Sequence, residues 1–161
     1  DVRSIDGKRY EVYSDCASKP TGCDVVEFSK TLEAAGAGEI LLNAADRDGR
    51  QSGFDLELCD QVADAVGIPV IALGGAGEAQ HFVDLFKSTN VSAGGAANYF
   101  NFTEHSIITT KAYLLRRGID VRLDSHVDYT ESDFSERGRL ARHTDEHLQA
   151  QFWEFHPPEV I

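Results

Sequence analysis

The residues of this chain best suited to chemistry stand in short loops rich in glycine and aspartate. Leu73-Gly-Gly-Ala-Gly77 and Ala96-Ala-Asn98 each follow a short apolar run. Gly74, Gly75 and Gly77 lack a Cβ, so backbone N–H groups can approach an anion closely, and a helix starting just beyond adds its positive end. Two small-residue loops after consecutive strands describe the two sides of a phosphate cradle; the competing reading is that the glycines only end a strand in a tight turn. A third loop, Asp46-Arg-Asp-Gly-Arg50, brings two carboxylates and a flexible glycine. Asp48 is the better candidate for proton or substrate contact, although an aspartate also orders its own turn, and spacing alone does not choose.

These loops need elements to hold them. Glu39-Ile-Leu-Leu-Asn43, Ile68-Pro-Val-Ile-Ala72 and Val91-Ser-Ala-Gly-Gly-Ala96 are too short for helices and read as buried parallel strands. Val25 to Ala35, Asp55 to Val66, Ala79 to Ser88 and Glu104 to Arg116 carry apolar residues three and four apart and read as covering helices. Gly36 and Gly67 suit left-handed positions after helix ends, and Thr103 can cap the last helix. Strands alternating with helices leave a (β/α)8 barrel or a doubly wound sheet. No G-x-G-x-x-G opens the first unit, and small-residue loops after the last two strands favour the barrel.

Composition sets the outer limits. The 161 residues, 42% hydrophobic and 26% charged, suit one globular domain or part of a larger one. A net charge of −12 argues against nucleic acid as a partner, because phosphate-neutralising surfaces need clustered Lys and Arg. No apolar run reaches the roughly 20 residues of a membrane span, so the expectation is no membrane and a cytoplasmic setting. Cys16, Cys23 and Cys59 have no C-x-x-C spacing and read as free thiols, with no metal site and no cofactor expected. The charge divides evenly, −6 before and −6 after residue 118, so the tail is a distinct acidic segment not expected to fold alone. The absence of methionine, even at position 1, reads as a fragment or processed chain.

Four motifs in register carry a family resemblance: Ser4-Ile-Asp-Gly-Lys-Arg9; Ala35-Gly-Ala-Gly-Glu-Ile-Leu-Leu42; Asp46-Arg-Asp-Gly49 with Ser52-Gly-Phe-Asp55; and Ile68-Pro-Val-Ile-Ala-Leu-Gly-Gly-Ala-Gly77. Together they resemble the cyclase subunit of imidazole glycerol phosphate synthase. The resemblance implies an α/β chain that is the C-terminal half of a (β/α)8 (TIM) barrel of ribulose-phosphate-binding type. Residues 1–118 would run from strand five to helix eight, and 119–161 would be an acidic C-terminal extension. It further implies an ammonia-dependent cyclase and lyase, inactive as this fragment alone. A glutaminase subunit would deliver ammonia from the foot of the barrel to a phosphorylated or nucleotide-linked substrate at the opposite end. Asp6 matches a catalytic aspartate, with a turn-ordering role as its alternative. Asp48 and Gly49 match the substrate loop, Ser14 a substrate-loop serine, and Gly74, Gly75, Ala97 and Asn98 the phosphate loops. Glu39 matches a charged ammonia gate.

The sequence departs from the histidine-pathway pattern. Asn43, Leu73 and Asn98 stand where hydroxyl residues are expected, which removes three potential ligand contacts. Ala97-Asn-Tyr-Phe-Asn-Phe-Thr-Glu-His-Ser106 and Gly118-Ile-Asp-Val-Arg-Leu-Asp124 resemble a paralogous branch. That branch works with a glutaminase and a sugar amidotransferase to place acetamidino groups on surface-polysaccharide sugars, and it is the preferred expectation. Histidine biosynthesis is the alternative, and a non-catalytic ammonia conduit or scaffold a third. His105 reads as solvent-facing, and His143 with His147 as a solvated helical face. Phe152-Trp-Glu-Phe155 reads as an aromatic docking cluster.

Overall fold

The computed structural model describes residues 1–103 and 105–150. The chain opens as an antiparallel meander of β1 (Val2–Ser4), β2 (Tyr10–Ser14) and β3 (Lys19–Asp24). Helix α1 (Val25–Ala34) follows, started by the Asp24 carboxylate, which accepts the N–H groups of Val26 and Glu27. The alternating part then runs β4 (Ile40–Asn43), α2 (Leu56–Ala63), β5 (Val70–Leu73), α3 (Ala79–Ser88) and β6 (Ala93–Gly94). β4, β5 and β6 pair in parallel in that order, with Ile40 opposite Val70 and Ile71 opposite Ala93. After them come α4 (Asn98–Phe102), α5 (Ser106–Arg116) and α6 (Asp145–Ala150).

One bridge joins the two sheets. Val2 pairs in parallel with Ala44, and the Ala45 amide donates to the Val2 carbonyl at 2.9 Å. β1, β4, β5 and β6 therefore run in the same direction and place their C-terminal ends on one rim. The loops after β1, β4, β5 and β6 leave from that rim.

Alternation along the strands decides which face is covered. Ile40, Leu42, Val70 and Ala72 are buried beneath the helices with Leu58, Val62, Phe82 and Leu85. Leu41 points the other way and is 61% exposed. On that face Ile71 and Leu73 are half-buried, so the strands are fully buried on one face alone. Phe82 anchors the core by meeting Phe54 edge to face at 5.2 Å between ring centres and Phe100 in a stack at 5.8 Å.

Several boundaries differ from the sequence reading. The helix expected from Glu104 begins at Ser106, because α4 and a left-handed His105 (φ +50°) intervene. Thr103 is the extended residue that closes α4, so it caps nothing on α5. α2 stops at Ala63, and the expected strand Val91–Ala96 shortens to Ala93–Gly94. Gly36 is left-handed as expected. Gly67 is not; its amide donates instead to the Glu33 carboxylate at 2.8 Å.

The C-terminal segment is tied down despite its charge. Phe134 bridges Leu140, and Ser135 N–H donates to Arg139 O at 2.8 Å, closing a small hairpin. Gly138 at its tip is buried where a Cβ would meet Ala79 at 2.5 Å. The Tyr113 hydroxyl lies 2.6 Å from Gln80 Oε1 and 2.7 Å from the Glu136 carbonyl, joining α5, α3 and the hairpin. The aromatic cluster at Phe152–Phe155 lies outside the described residues. No helix among the described residues is long and apolar enough to cross a membrane.

Candidate functional site

A cavity of about 240 Å³ opens on the rim where the parallel strands end, and Asp48, Gly49, Gly74, Gly75, Ala97 and Asn98 line it. The structure thus brings together six residues that the sequence reading assigned to three separate loops. Gly74 and Gly75 have φ of +94° and +100°. A Cβ on Gly75 would stand 2.1 Å from the Gly53 carbonyl oxygen, and one on Gly74 would stand 2.6 Å from that of Ala44. Both glycines are therefore required by conformation and by close packing of the 44–53 loop. The turn-forming role holds, and it is compatible with a cradle. Gly53 N–H donates to Gly75 O at 2.9 Å and fixes the two loops against each other.

The donors left over are what an anion needs. Among the described residues, the amides of Gly75, Ala76, Ala97 and Asn98 make no backbone hydrogen bond outside the helices and strands. Unpaired N–H groups around a concave surface suit a phosphate. The Asp48 carboxylate at the same cavity is suited to proton or hydroxyl contact and not to an anion. A larger cavity of about 570 Å³ lies across the loop, between Ser4, Tyr10 and Asp46 to Glu57. There Arg47 and Arg50 stand among the carboxylates of Asp46, Asp55 and Glu57.

Asp6 stands just beyond β1 on the same rim but does not line the cradle. Its carboxylate accepts the amides of Arg9 (2.9 Å) and Lys8 (3.2 Å) and the Arg9 guanidinium Nε (2.8 Å). The Arg9 backbone N–H, then the Arg9 side chain and the Lys8 N–H, hold its pKa down at about 2. It is thus ionised at neutral pH and can accept a proton but not supply one. Asp46 has a holding role, accepting Ser4 N–H at 2.8 Å.

The remaining candidates disperse. Ser14 ends β2, which runs back antiparallel to β1, with Tyr13 N–H on Asp1 O at 2.9 Å. It therefore stands toward the N-terminal end of β1, away from the cradle. Asn43 ends β4 beneath Gly74; its Nδ2 donates to Asp1 Oδ1 at 2.8 Å, and its buried Oδ1 has no partner among the described residues. Glu39 is exposed just before β4, on the opposite rim from the cradle. His105 touches the Tyr129 hydroxyl at 2.5 Å and has no contact with the cradle. The rings of His143 and His147 stack at 4.5 Å, and among the described residues no group of three or more metal-ligating side chains gathers. All three cysteines are free; burial pushes the Cys59 thiol up to about 12.

The sequence reading missed the residues that brace the cradle. Gly53 and His81 hold the Gly74–Gly77 loop, and Asp55 ties three elements together. The signal for His81 was available: it lies four residues after Gly77, where a side chain on the first helical turn can reach back to a loop amide.

Residues 2–105 match the family described as histidine biosynthesis protein. The chain belongs to this family. Among its relatives is the imidazole glycerol phosphate synthase subunit HisF of Pyrococcus furiosus, 48% identical over 118 residues, which make up 73% of this chain and 47% of that protein. The chain thus spans about half of that relative's length. Membership of the histidine biosynthesis protein family implies a (β/α)8 barrel, and the parallel succession of β1, β4, β5 and β6 fits a run of its strand–helix units.

Proposed function

We propose that this chain supplies the phosphate-anchoring half of a cyclase-type barrel in an imidazole glycerol phosphate synthase system. Residues 1–118 form the C-terminal half of the barrel, and residues 119–161 form its acidic extension. The observation that supports this reading is the single cavity in which Gly75, Ala76, Ala97 and Asn98 present unpaired amides beside Asp48. A phosphorylated substrate is anchored there through its phosphate. Asp48 and the ionised Asp6, both following C-terminal strand ends, handle protons as the ring closes. Ammonia comes from a glutaminase subunit at the opposite rim, where Glu39 stands at the entrance.

The pathway has two readings. The named relative supports cyclization in histidine biosynthesis. A role in acetamidino modification of sugars, beside a sugar amidotransferase, is supported by the lining of the cradle, where Leu73 and Asn98 stand without a hydroxyl. Ammonium-dependent turnover of the histidine-pathway substrate by the full-length protein separates them. Turnover that falls by about 10²-fold or more in Asp6→Asn, the usual loss for an acid–base group, supports the cyclase reading. Absence of turnover, with sugar amidation intact, supports the second.

A further inference from the structure

His81 stands on the first turn of α3, its side chain only 17% exposed. Its Nδ1 accepts the Gly77 N–H at 3.1 Å. The ring also lies against Gly53, where an added Cβ would meet Cδ2 at 3.6 Å. An imidazole that accepts at Nδ1 is neutral and carries its proton on Nε2. Nε2 faces Glu78 Oε1 at 3.7 Å, and Glu78 Oε2 faces Arg137 Nε of the C-terminal hairpin at 3.7 Å. The loop is therefore gripped twice, at the Gly75 carbonyl by Gly53 and at the Gly77 amide by His81. Gly75 and Ala76, between those grips, have the amides left without a backbone acceptor.

We infer that His81 is a positioning residue for the anion cradle: its Nδ1 holds the Gly74–Gly77 loop in the shape that leaves the Gly75 and Ala76 amides open. This rests on reading the cradle as a phosphate site. The test compares the full-length wild-type protein with His81→Asn and His81→Leu. Asparagine places an amide oxygen where Nδ1 stood, whereas leucine fills the space without an acceptor. Two quantities are measured: the affinity for inorganic phosphate, and the hydrogen-exchange rate of the Gly77 amide. His81→Asn stays within about twofold of wild type in both, while His81→Leu binds phosphate about tenfold more weakly and exchanges Gly77 about tenfold faster, the order of one hydrogen bond. Wild-type values for His81→Leu in both overturn the inference, as does His81→Asn failing as badly as His81→Leu, which would make the ring a packing element. If the wild-type protein binds no phosphate, the cradle reading fails by itself. The Gly77 exchange rate then decides the His81 role, unchanged exchange in His81→Leu overturning it.

Discussion

Gly75 carries two constraints at one position, a left-handed backbone at φ +100° and the Gly53 carbonyl oxygen 2.1 Å from where a Cβ would be. Gly75→Ala must move the 44–53 loop, so it is expected to destabilise the protein by about 2 kcal/mol or more in urea unfolding. An unchanged midpoint would mean the loops are not locked together. Asp6 makes a separate prediction because its carboxyl is held well below its ordinary value by Arg9 and Lys8. A depressed pKa means that the turn's extra stabilisation is present above about pH 4 and is lost as pH falls through about 2. The Arg9 amide resonance should titrate with a midpoint near 2; a midpoint near 4 would show that the carboxylate is free. Gly74, Gly75 and Asp48 were legible in the sequence because a loop's composition limits what its backbone can do. Ser14 was not, because whether a strand end faces the rim or the foot depends on which neighbour it pairs with.

At the scale of elements, Asp55 does more than its position before α2 announces. Its Oδ1 accepts Leu58 N–H at 3.1 Å and the Tyr10 hydroxyl at 2.9 Å, and its Oδ2 lies 3.9 Å from Arg47. Desolvation, then the Asp55 hydrogen bond, raises the Tyr10 pKa, so the phenol stays protonated and donates. Asp55→Ala removes a helix cap and leaves the buried phenol unpaired, and is expected to cost about 1–3 kcal/mol by thermal unfolding. A loss of only a few tenths would reduce Asp55 to an exposed cap. The strand–helix alternation from β4 to α3 was readable from periodicity. The β2–β3 meander and the docking of the C-terminal hairpin were not; the hairpin depends on distant partners, Tyr113 and Ala79. Charge made the tail look detached, and contacts such as the buried Gly138 and the Tyr113 phenol attach it.

For the whole molecule, a half-barrel leaves two strand edges open. The structure alters one of them: β2 pairs along β1, so that edge is covered. The uncovered sheet face remains, with Leu41 61% and Ile5 56% exposed. Residues 1–161 alone are therefore expected to self-associate, seen as a mass above 17.7 kDa by light scattering. A stable monomer would contradict the half-barrel reading. The barrel class came from motifs in register and not from composition, which suited a complete small domain equally well. The proposed function stands or falls on whether the two backbone loops at the ends of β5 and β6 hold a phosphate. Its most direct test is a nuclear magnetic resonance titration of the full-length protein with inorganic phosphate. The account predicts that the amides of Gly75, Ala76, Ala97 and Asn98 shift together and saturate with a single affinity; absence of shifts there, or shifts confined to the Arg47–Arg50 side of the loop, would contradict it.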